Sequence, residues 1–215
     1  MKNVARHQIN MLRATIIGLV ILTLASARMQ ADTAITSVSG FSIGANSQIT
    51  FGYNFTVGAT SLTATALGMF NNGDVSFGDS HQVGIWDSVG TLLGEVTVPS
   101  GMPTNYAGDF AYAGLSSPIT LTAGDTYTVG AFFPSTADTV PVSSTVTFNP
   151  DITLNSYDFA HGSSLTIPTT VNGNAIPAAN IQVSAVPEPS TWALFGMGIA
   201  TIFYRWKNRN FYFNR

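Results

Sequence analysis

The chain has 215 residues, no cysteine and a formal net charge of −3 at pH 7. Its eight Lys and Arg residues all lie near the two ends, so histidine is the sole basic residue type between Met29 and Tyr204. Nucleic-acid binding is excluded, because it requires Lys and Arg side chains that neutralise phosphates. Without cysteine there are no disulfides and no thiolate chemistry, so the hydrophobic core must stabilise the fold.

The N-terminal residues 1–27 have the features of a secretory signal peptide. Lys2, Arg6 and Arg13 precede the apolar run ATIIGLVILTLASA, which ends with a small-x-small pattern at Ala27. The apolar run has about fourteen residues, fewer than the roughly 20 that span a bilayer, although a retained membrane anchor is the alternative. We therefore predict a signal helix over residues 1–27 and an exported protein.

Short alternating segments follow through the body of the chain. Over residues 49–57 apolar and polar side chains alternate, which is typical of a strand with one face in a core. Similar segments recur at 62–66, 83–85, 92–98, 127–133 and 181–185, and turn motifs such as NNGD, DSVG and TAGD separate them. The sequence predicts an all-β domain over residues 32–185, an antiparallel β-sandwich of about nine strands with jelly-roll or immunoglobulin-like topology.

The body is acidic and has no Lys or Arg to pair with its carboxylates. Of the chain's 11 Asp and Glu residues, all but Glu188 lie between Asp32 and Ala185. Such carboxylates are solvated, bonded to backbone N–H groups or neutralised by cations. Asp74 and Asp79, in the polar segment NNGDVSFGDSHQVGIWD, are candidate calcium ligands, and a solvated loop with turn-capping aspartates is the alternative. The spacing differs from that of an EF-hand.

Other candidates for chemistry have structural alternatives. Trp86 could stack on a sugar ring, or it could anchor a hairpin or the core. His81 precedes a predicted strand, where a hydrogen-bonded structural imidazole is expected. The carboxylates could formally supply a glycosidase pair, but no distinctive motif surrounds them and G-x-S-x-G is missing. We predict no catalytic residues, no enzyme activity and no cofactor except calcium.

The C-terminal residues 186–210 combine a proline-rich hinge, an apolar run and a basic cluster. The prolines separate the body from an apolar segment over 192–204, which we predict to be a transmembrane helix. Trp192 and Tyr204 would lie at the membrane interfaces, and Arg205, Lys207 and Arg209 would stop transfer and stay inside. The body would therefore remain outside the inner membrane.

This tail, VPEPSTWALFGMGIATIFYRWKNRN, resembles the PEP-CTERM sorting signal of Gram-negative bacteria. Pro187, Glu188 and Pro189 match the motif that gives the signal its name, followed by a glycine-containing apolar segment and basic residues. The resemblance implies that an exosortase, a multi-pass membrane protease, recognises the tail, cuts near the motif and releases the protein toward the surface. Bacteria with this system commonly make exopolysaccharide.

The body is also similar to a bacterial exported domain of unknown function. The segments that match are YNFTV, ALGMF, SHQVGIWDSVGTLLGEVTVPSG and PITLTAGDTYTVGAFF, between about residues 52 and 133. The resemblance implies a β-sandwich with a hairpin after the Trp-Asp pair, and it implies no particular activity.

Together these features predict a cell-surface or extracellular-matrix protein with a structural or adhesive role. Its expected partners are an exosortase, the inner membrane during transit and extracellular polysaccharide. A calcium-assisted carbohydrate-binding module is the first alternative, based on Asp74, Asp79 and Trp86. A secreted polysaccharide hydrolase is the second.

Overall fold

The computed structural model describes residues 32–72 and 75–186, and the helical positions 195, 196, 198, 199 and 202. The body of these residues is all-β, which confirms the predicted fold class at that level. The predicted signal helix at 1–27 and most of the predicted transmembrane helix at 192–204 lie outside the described residues. Among the described residues, no helix is long and apolar enough to cross a membrane.

Fifteen strands are present in the described part of the chain. The first eight are β1 (Asp32–Thr33), β2 (Ile35–Ser39), β3 (Ser42–Ala45), β4 (Ile49–Val57), β5 (Leu62–Phe70), β6 (His81–Asp87), β7 (Leu92–Val98) and β8 (Tyr106–Ala107). The remaining strands are β9 (Phe110–Leu121), β10 (Thr126–Phe133), β11 (Thr139–Val142), β12 (Thr145–Phe148), β13 (Ile152–His161), β14 (Thr170–Asn172) and β15 (Ala179–Ala185).

The strands form two main antiparallel sheets. A five-stranded sheet has the order β1-β15-β5-β9-β8, and a six-stranded sheet has the order β14-β13-β4-β10-β6-β7. Two further pairs, β11 with β3 and β12 with β2, form small two-stranded sheets. The jelly-roll or immunoglobulin-like topology stays a prediction.

One hydrophobic cluster includes the buried faces of both main sheets. Tyr53 and Phe55 come from β4, Leu67 and Met69 from β5, and Ile181 from β15; each is fully buried. Two antiparallel sheets that share a core in this way give the domain its β-sandwich-like character.

A β-bulge in β13 decides which side chains face away from the core. Asn155 is the extra residue, because the register with β4 shifts between Leu154 and Ser156. Leu154 packs against the core before the bulge and Tyr157 does so after it. Successive strand side chains alternate between faces, and the bulge leaves Asn155 out of this alternation, so Ser156 and Asp158 lie on the outer face of the sheet.

The loop of residues 162–169, between β13 and β14, lies against the outer face of the six-stranded sheet. Two glycines of that sheet permit the contact. A Cβ on Gly84 would lie 3.0 Å from Leu165 Cδ2, and one on Gly130 would lie 3.1 Å from Pro168 Cγ. The sheet is thus covered in part by its own loop, and a cleft remains beside the covered area.

Candidate functional site

His81, at the start of β6, is fully buried and bonded through both ring nitrogens. Its Nδ1 lies 2.9 Å from the carbonyl oxygen of Phe132, and its Nε2 lies 2.8 Å from Asp138 Oδ2. The rings of Phe77 and Phe133 pack against the imidazole edge to face, each with a centroid separation of 5.3 Å. With both nitrogens hydrogen-bonded in the interior, His81 has the contacts expected of a structural imidazole.

Both oxygens of Asp138, the carboxylate partner of His81, accept hydrogen bonds. A carbonyl oxygen only accepts hydrogen bonds, so Nδ1 must donate to Phe132. Asp138 Oδ1 accepts from Gly78 N and Asp138 Oδ2 accepts from Asp79 N, both at 2.9 Å. Burial raises the pKa of Asp138, but hydrogen bonds from Gly78, His81 and Asp79 outweigh it and hold the pKa below its ordinary value of 3.8. Asp138 is therefore ionised at neutral pH, and both of its oxygens accept hydrogen bonds.

The structure describes only one of the two predicted calcium ligands. Asp74 lies outside the described residues, whereas Asp79 Oδ2 accepts a hydrogen bond from Ser135 Oγ. Ser135 Oγ in turn accepts from Ala137 N at 3.0 Å. Across the described ranges, no group of three or more His, Cys, Asp and Glu side chains is arranged to hold a metal ion. Calcium binding stays a prediction.

Trp86 lies on the outer side of the six-stranded sheet and is 5% exposed. It pairs with Thr128 of β10 and does not belong to the central hydrophobic cluster. A Cβ on Gly84 would lie 2.8 Å from Trp86 Cη2 and 3.0 Å from Leu165 Cδ2. The indole ring therefore lies where the loop 162–169 meets the sheet.

Beside this loop, the outer face of the six-stranded sheet has an open cleft of about 320 Å³, which we call the outer cleft. Its sheet side presents polar side chains, among them Asn54, Thr128 and Asp158. Its loop side includes the apolar side chains of Ile167 and Pro168. The outer cleft thus has one polar and one apolar side.

Hydrogen bonds hold the polar side of the outer cleft in place. Asn54 Nδ2 donates to Thr128 Oγ1 at 3.0 Å, and Asn155 Nδ2 donates to Asn54 Oδ1 at 2.8 Å. Ser156 Oγ donates to Asp158 Oδ2 at 3.0 Å. Asp158 is 6% exposed, and its Oδ1 has no hydrogen-bond partner among the described residues. One buried carboxyl oxygen of the outer cleft is therefore unsatisfied.

Asp87, at the end of β6, adds a second carboxylate to the lining of the outer cleft. Its Oδ1 accepts hydrogen bonds from Thr91 N at 2.8 Å and from Val89 N at 3.1 Å. The backbone hydrogen bond from Thr91 is the largest cause, and together with the weaker one from Val89 it holds the pKa of Asp87 below its ordinary value of 3.8 against the opposing effect of desolvation. The outer cleft therefore carries negative charge, and no Lys or Arg occurs between residues 32 and 186 to balance it.

The residues of the predicted sorting site and membrane anchor lie outside the described residues: Pro187, Glu188, Pro189, Trp192, Tyr204, Arg205, Lys207 and Arg209. Their sequence is nevertheless informative. Residues 185–209 match the model of a family described as the PEP-CTERM protein-sorting motif. This confirms the resemblance seen in the tail. No curated protein matches the chain, and the similarity of the body to a domain of unknown function stays a prediction.

The match bears on the destination of the protein. A PEP-CTERM motif indicates an exported protein that is sorted to the cell surface or the extracellular space. Such signals are processed by an exosortase, which is a membrane protein.

Proposed function

We propose that this protein is a structural or adhesive component of the cell surface or extracellular matrix, without enzymatic activity. An exosortase recognises Pro187, Glu188 and Pro189 and cuts nearby. The single observation that carries the proposal is the match of residues 185–209 to the PEP-CTERM motif. The predicted signal peptide at 1–27 supports it, because the order of signal, body and sorting motif suits an exported substrate.

In this proposal the tail acts as a temporary anchor in the inner membrane. The apolar segment 192–204 would be about 20 Å long as a helix, which is short for a hydrocarbon core of about 30 Å. Interfacial Trp192 and Tyr204 compensate in part, and Arg205 and its basic neighbours hold the end inside. Cleavage near Pro189 then frees the body from the membrane.

The described body supports a binding or structural role. Its buried imidazole, His81, has both ring nitrogens hydrogen-bonded within the interior, to Phe132 O and Asp138 Oδ2. Ser135 donates to Asp79, so its hydroxyl is bonded to a carboxylate and not to an imidazole. These pairings favour a stable scaffold over a nucleophilic site.

The proposal is tested by expressing the full chain in a Gram-negative host with and without an exosortase and fractionating the cells. We expect the protein at the surface or in the medium when the exosortase is present, and in the inner membrane when it is missing. Replacing Pro187, Glu188 and Pro189 by alanine should give inner-membrane retention in both hosts. A matched control, Thr201→Ala, changes the tail outside the motif and should be sorted normally. The same distribution in both hosts would contradict the proposal.

A further inference from the structure

We propose that the outer cleft binds a neutral sugar unit of a polysaccharide, with Asp158 Oδ1 accepting a hydrogen bond from a sugar hydroxyl. The inference rests on the adhesive role proposed above, which places the protein among extracellular polysaccharides, and it names the class of polysaccharide that the protein binds. It uses residues other than the sequence-predicted Asp74, Asp79 and Trp86.

The first argument is the unsatisfied oxygen of Asp158. Ser156 bonds Oδ2, while the buried Oδ1 has no partner among the described residues. A buried polar atom without a hydrogen bond costs about 1–3 kcal/mol, and more when the group is charged. Because residues 32–186 contain no Lys or Arg, neither of these side chains can supply the missing donor. A hydroxyl-bearing ligand can supply it when the Asp158 carboxylate turns Oδ1 toward the outer cleft that this residue lines.

The second argument is the bulge that brings Asp158 to the outer face. If Asn155 were paired as a regular strand residue instead of bulged, the alternation set by Leu154 would direct Ser156 and Asp158 toward the hydrophobic core. Bulges cost ladder hydrogen bonds and commonly re-aim side chains near functional sites. Here the bulge places three polar residues, Asn155, Ser156 and Asp158, on or beside the lining of the outer cleft.

The third argument is the match between the lining and the chemistry of a sugar ring. A pyranose has hydroxyl groups around its edge and C–H groups on its faces. The outer cleft offers Asn54, Thr128 and Ser156 on one side and the apolar Ile167 and Pro168 on the other. Thr128 Oγ1 accepts from Asn54, so its hydroxyl proton is free to donate to a ligand. The volume of about 320 Å³ lies at the lower end of the range for small-molecule sites.

Charge decides which class of polysaccharide fits. Asp87 lines the outer cleft as an ionised carboxylate, and all but one of the chain's 11 acidic residues belong to the body. With no Lys or Arg in residues 32–186, an anionic polymer such as a uronate would meet repulsion without compensation. The ligand is therefore a neutral sugar.

The test measures binding of the exported product of the full chain to immobilised neutral glucans, mannans and galactans, with alginate as the anionic comparison. Two variants address the outer cleft. Asp158→Asn keeps the shape of the side chain and removes its charge-assisted acceptor. Val171→Lys acts from the neighbouring strand, because Val171 is the cross-strand partner of Asp158 and is 70% exposed. A lysine there can pair with the carboxylate and block the outer cleft without disturbing the core.

We expect at least one neutral polysaccharide to bind and alginate not to bind. Asp158→Asn and Val171→Lys should each weaken binding about tenfold or more, the loss typical of a charge-assisted hydrogen bond. Glu95→Gln is the matched control: it removes one exposed carboxylate on β7 that does not line the outer cleft, and it should bind like the natural protein. Val171→Lys should also raise the melting temperature, which shows that its loss of binding is not unfolding.

Three results would overturn the inference. These are no binding to any neutral polysaccharide, equal binding by all four proteins, and a calcium-dependent rise in melting temperature that Asp158→Asn abolishes without any sugar binding. The last result would assign the unsatisfied oxygen to a cation. Sorting is measured separately by cell fractionation, so a failure of this inference is distinguishable from a failure of the proposed function.

Discussion

His81 Nε2 lies 2.8 Å from Asp138 Oδ2, and this bond joins β6 to the segment just before β11. The two residues are 57 positions apart in the chain. In a domain without Lys or Arg, the pair holds a buried imidazole between a carboxylate and the carbonyl oxygen of Phe132. Removing one member of such a pair leaves the other buried without its partner, so the folded state becomes less stable.

Replacing Asp138 by asparagine should destabilise the domain by about 3 kcal/mol. Asp138 uses both oxygens as acceptors, and its Oδ2 receives hydrogen bonds from Asp79 N and His81 Nε2. An amide nitrogen in place of Oδ2 would face two donors. Urea unfolding of the exported protein measures the effect, with Asp151→Asn as a control that removes one half-buried carboxylate outside the pair. Equal stability of Asp138→Asn and the control would contradict the prediction.

The lowered pKa of Asp138 predicts how the stability of the fold changes in acid. The folded state lowers the pKa of Asp138 below its ordinary value of 3.8, so the contribution to stability is fully present above that value. It is lost as the pH falls through the lowered folded pKa. The difference in unfolding free energy between the natural protein and Asp138→Asn should therefore shrink below about pH 4. Urea unfolding in a pH series checks this, and a difference that grew on acidification would contradict it.

Removing the hydroxyl group from two buried tyrosines should change the stability of the domain in opposite directions. Burial, followed by electrostatic effects of Tyr112 and Tyr157, raises the pKa of Tyr53, and its hydroxyl has no hydrogen-bond partner among the described residues. Tyr53→Phe should therefore raise the unfolding free energy by about 1 kcal/mol. The hydroxyl of Tyr127 accepts from Thr122 N at 2.9 Å, so Tyr127→Phe should lower it by about 1 kcal/mol. Thermal unfolding of both variants is the measurement, and shifts of the same sign would refute the assignment.

Calcium binding at Asp74 and Asp79 predicts a calcium-dependent rise in the melting temperature of the full chain. With calcium at about ten times its dissociation constant, the rise should be about 3–5 °C. The double change of Asp74 and Asp79 to asparagine should abolish it, whereas Asp151→Asn should not. A titration to millimolar calcium with no shift in the natural protein would eliminate the site.

The strands β4, β7 and β10 could be predicted from the sequence because each shows apolar alternation over seven or more residues. The ten-residue β13 was not predicted, because the bulge at Asn155 interrupts its alternation. β4 matches the predicted segment 49–57, and β10 begins one residue before the predicted 127–133. The shorter strands could not be predicted in the same way. β1 and β8 have two residues each and β14 has three, which is too short for a period of two to stand out. These short strands, together with β13, are why the sequence predicted about nine strands where fifteen occur in the described part of the chain.

The polar features were harder to find in the sequence. Asp138 pairs with His81 across 57 residues, and no local sequence pattern indicates a contact between residues so far apart in the chain. Asp158 carried a weak signal, since the apolar alternation in ITLNSYDFAH slips by one residue between Leu154 and Tyr157. That slip indicates a bulge, and a bulge directs Asp158 outward. The relation of the loop 162–169 to the sheet depends on tertiary contacts of Gly84 and Gly130 and had no sequence signature.

The measurement that tests the central claim most directly is the intact mass of the product made by the full chain in a host with an exosortase, together with its cell fraction. The account predicts a mature form that lacks residues 1–27 and everything after about Pro189, recovered outside the inner membrane. A product that keeps residues 192–215 and stays in the inner membrane would contradict sorting by cleavage and make the protein a permanently anchored one.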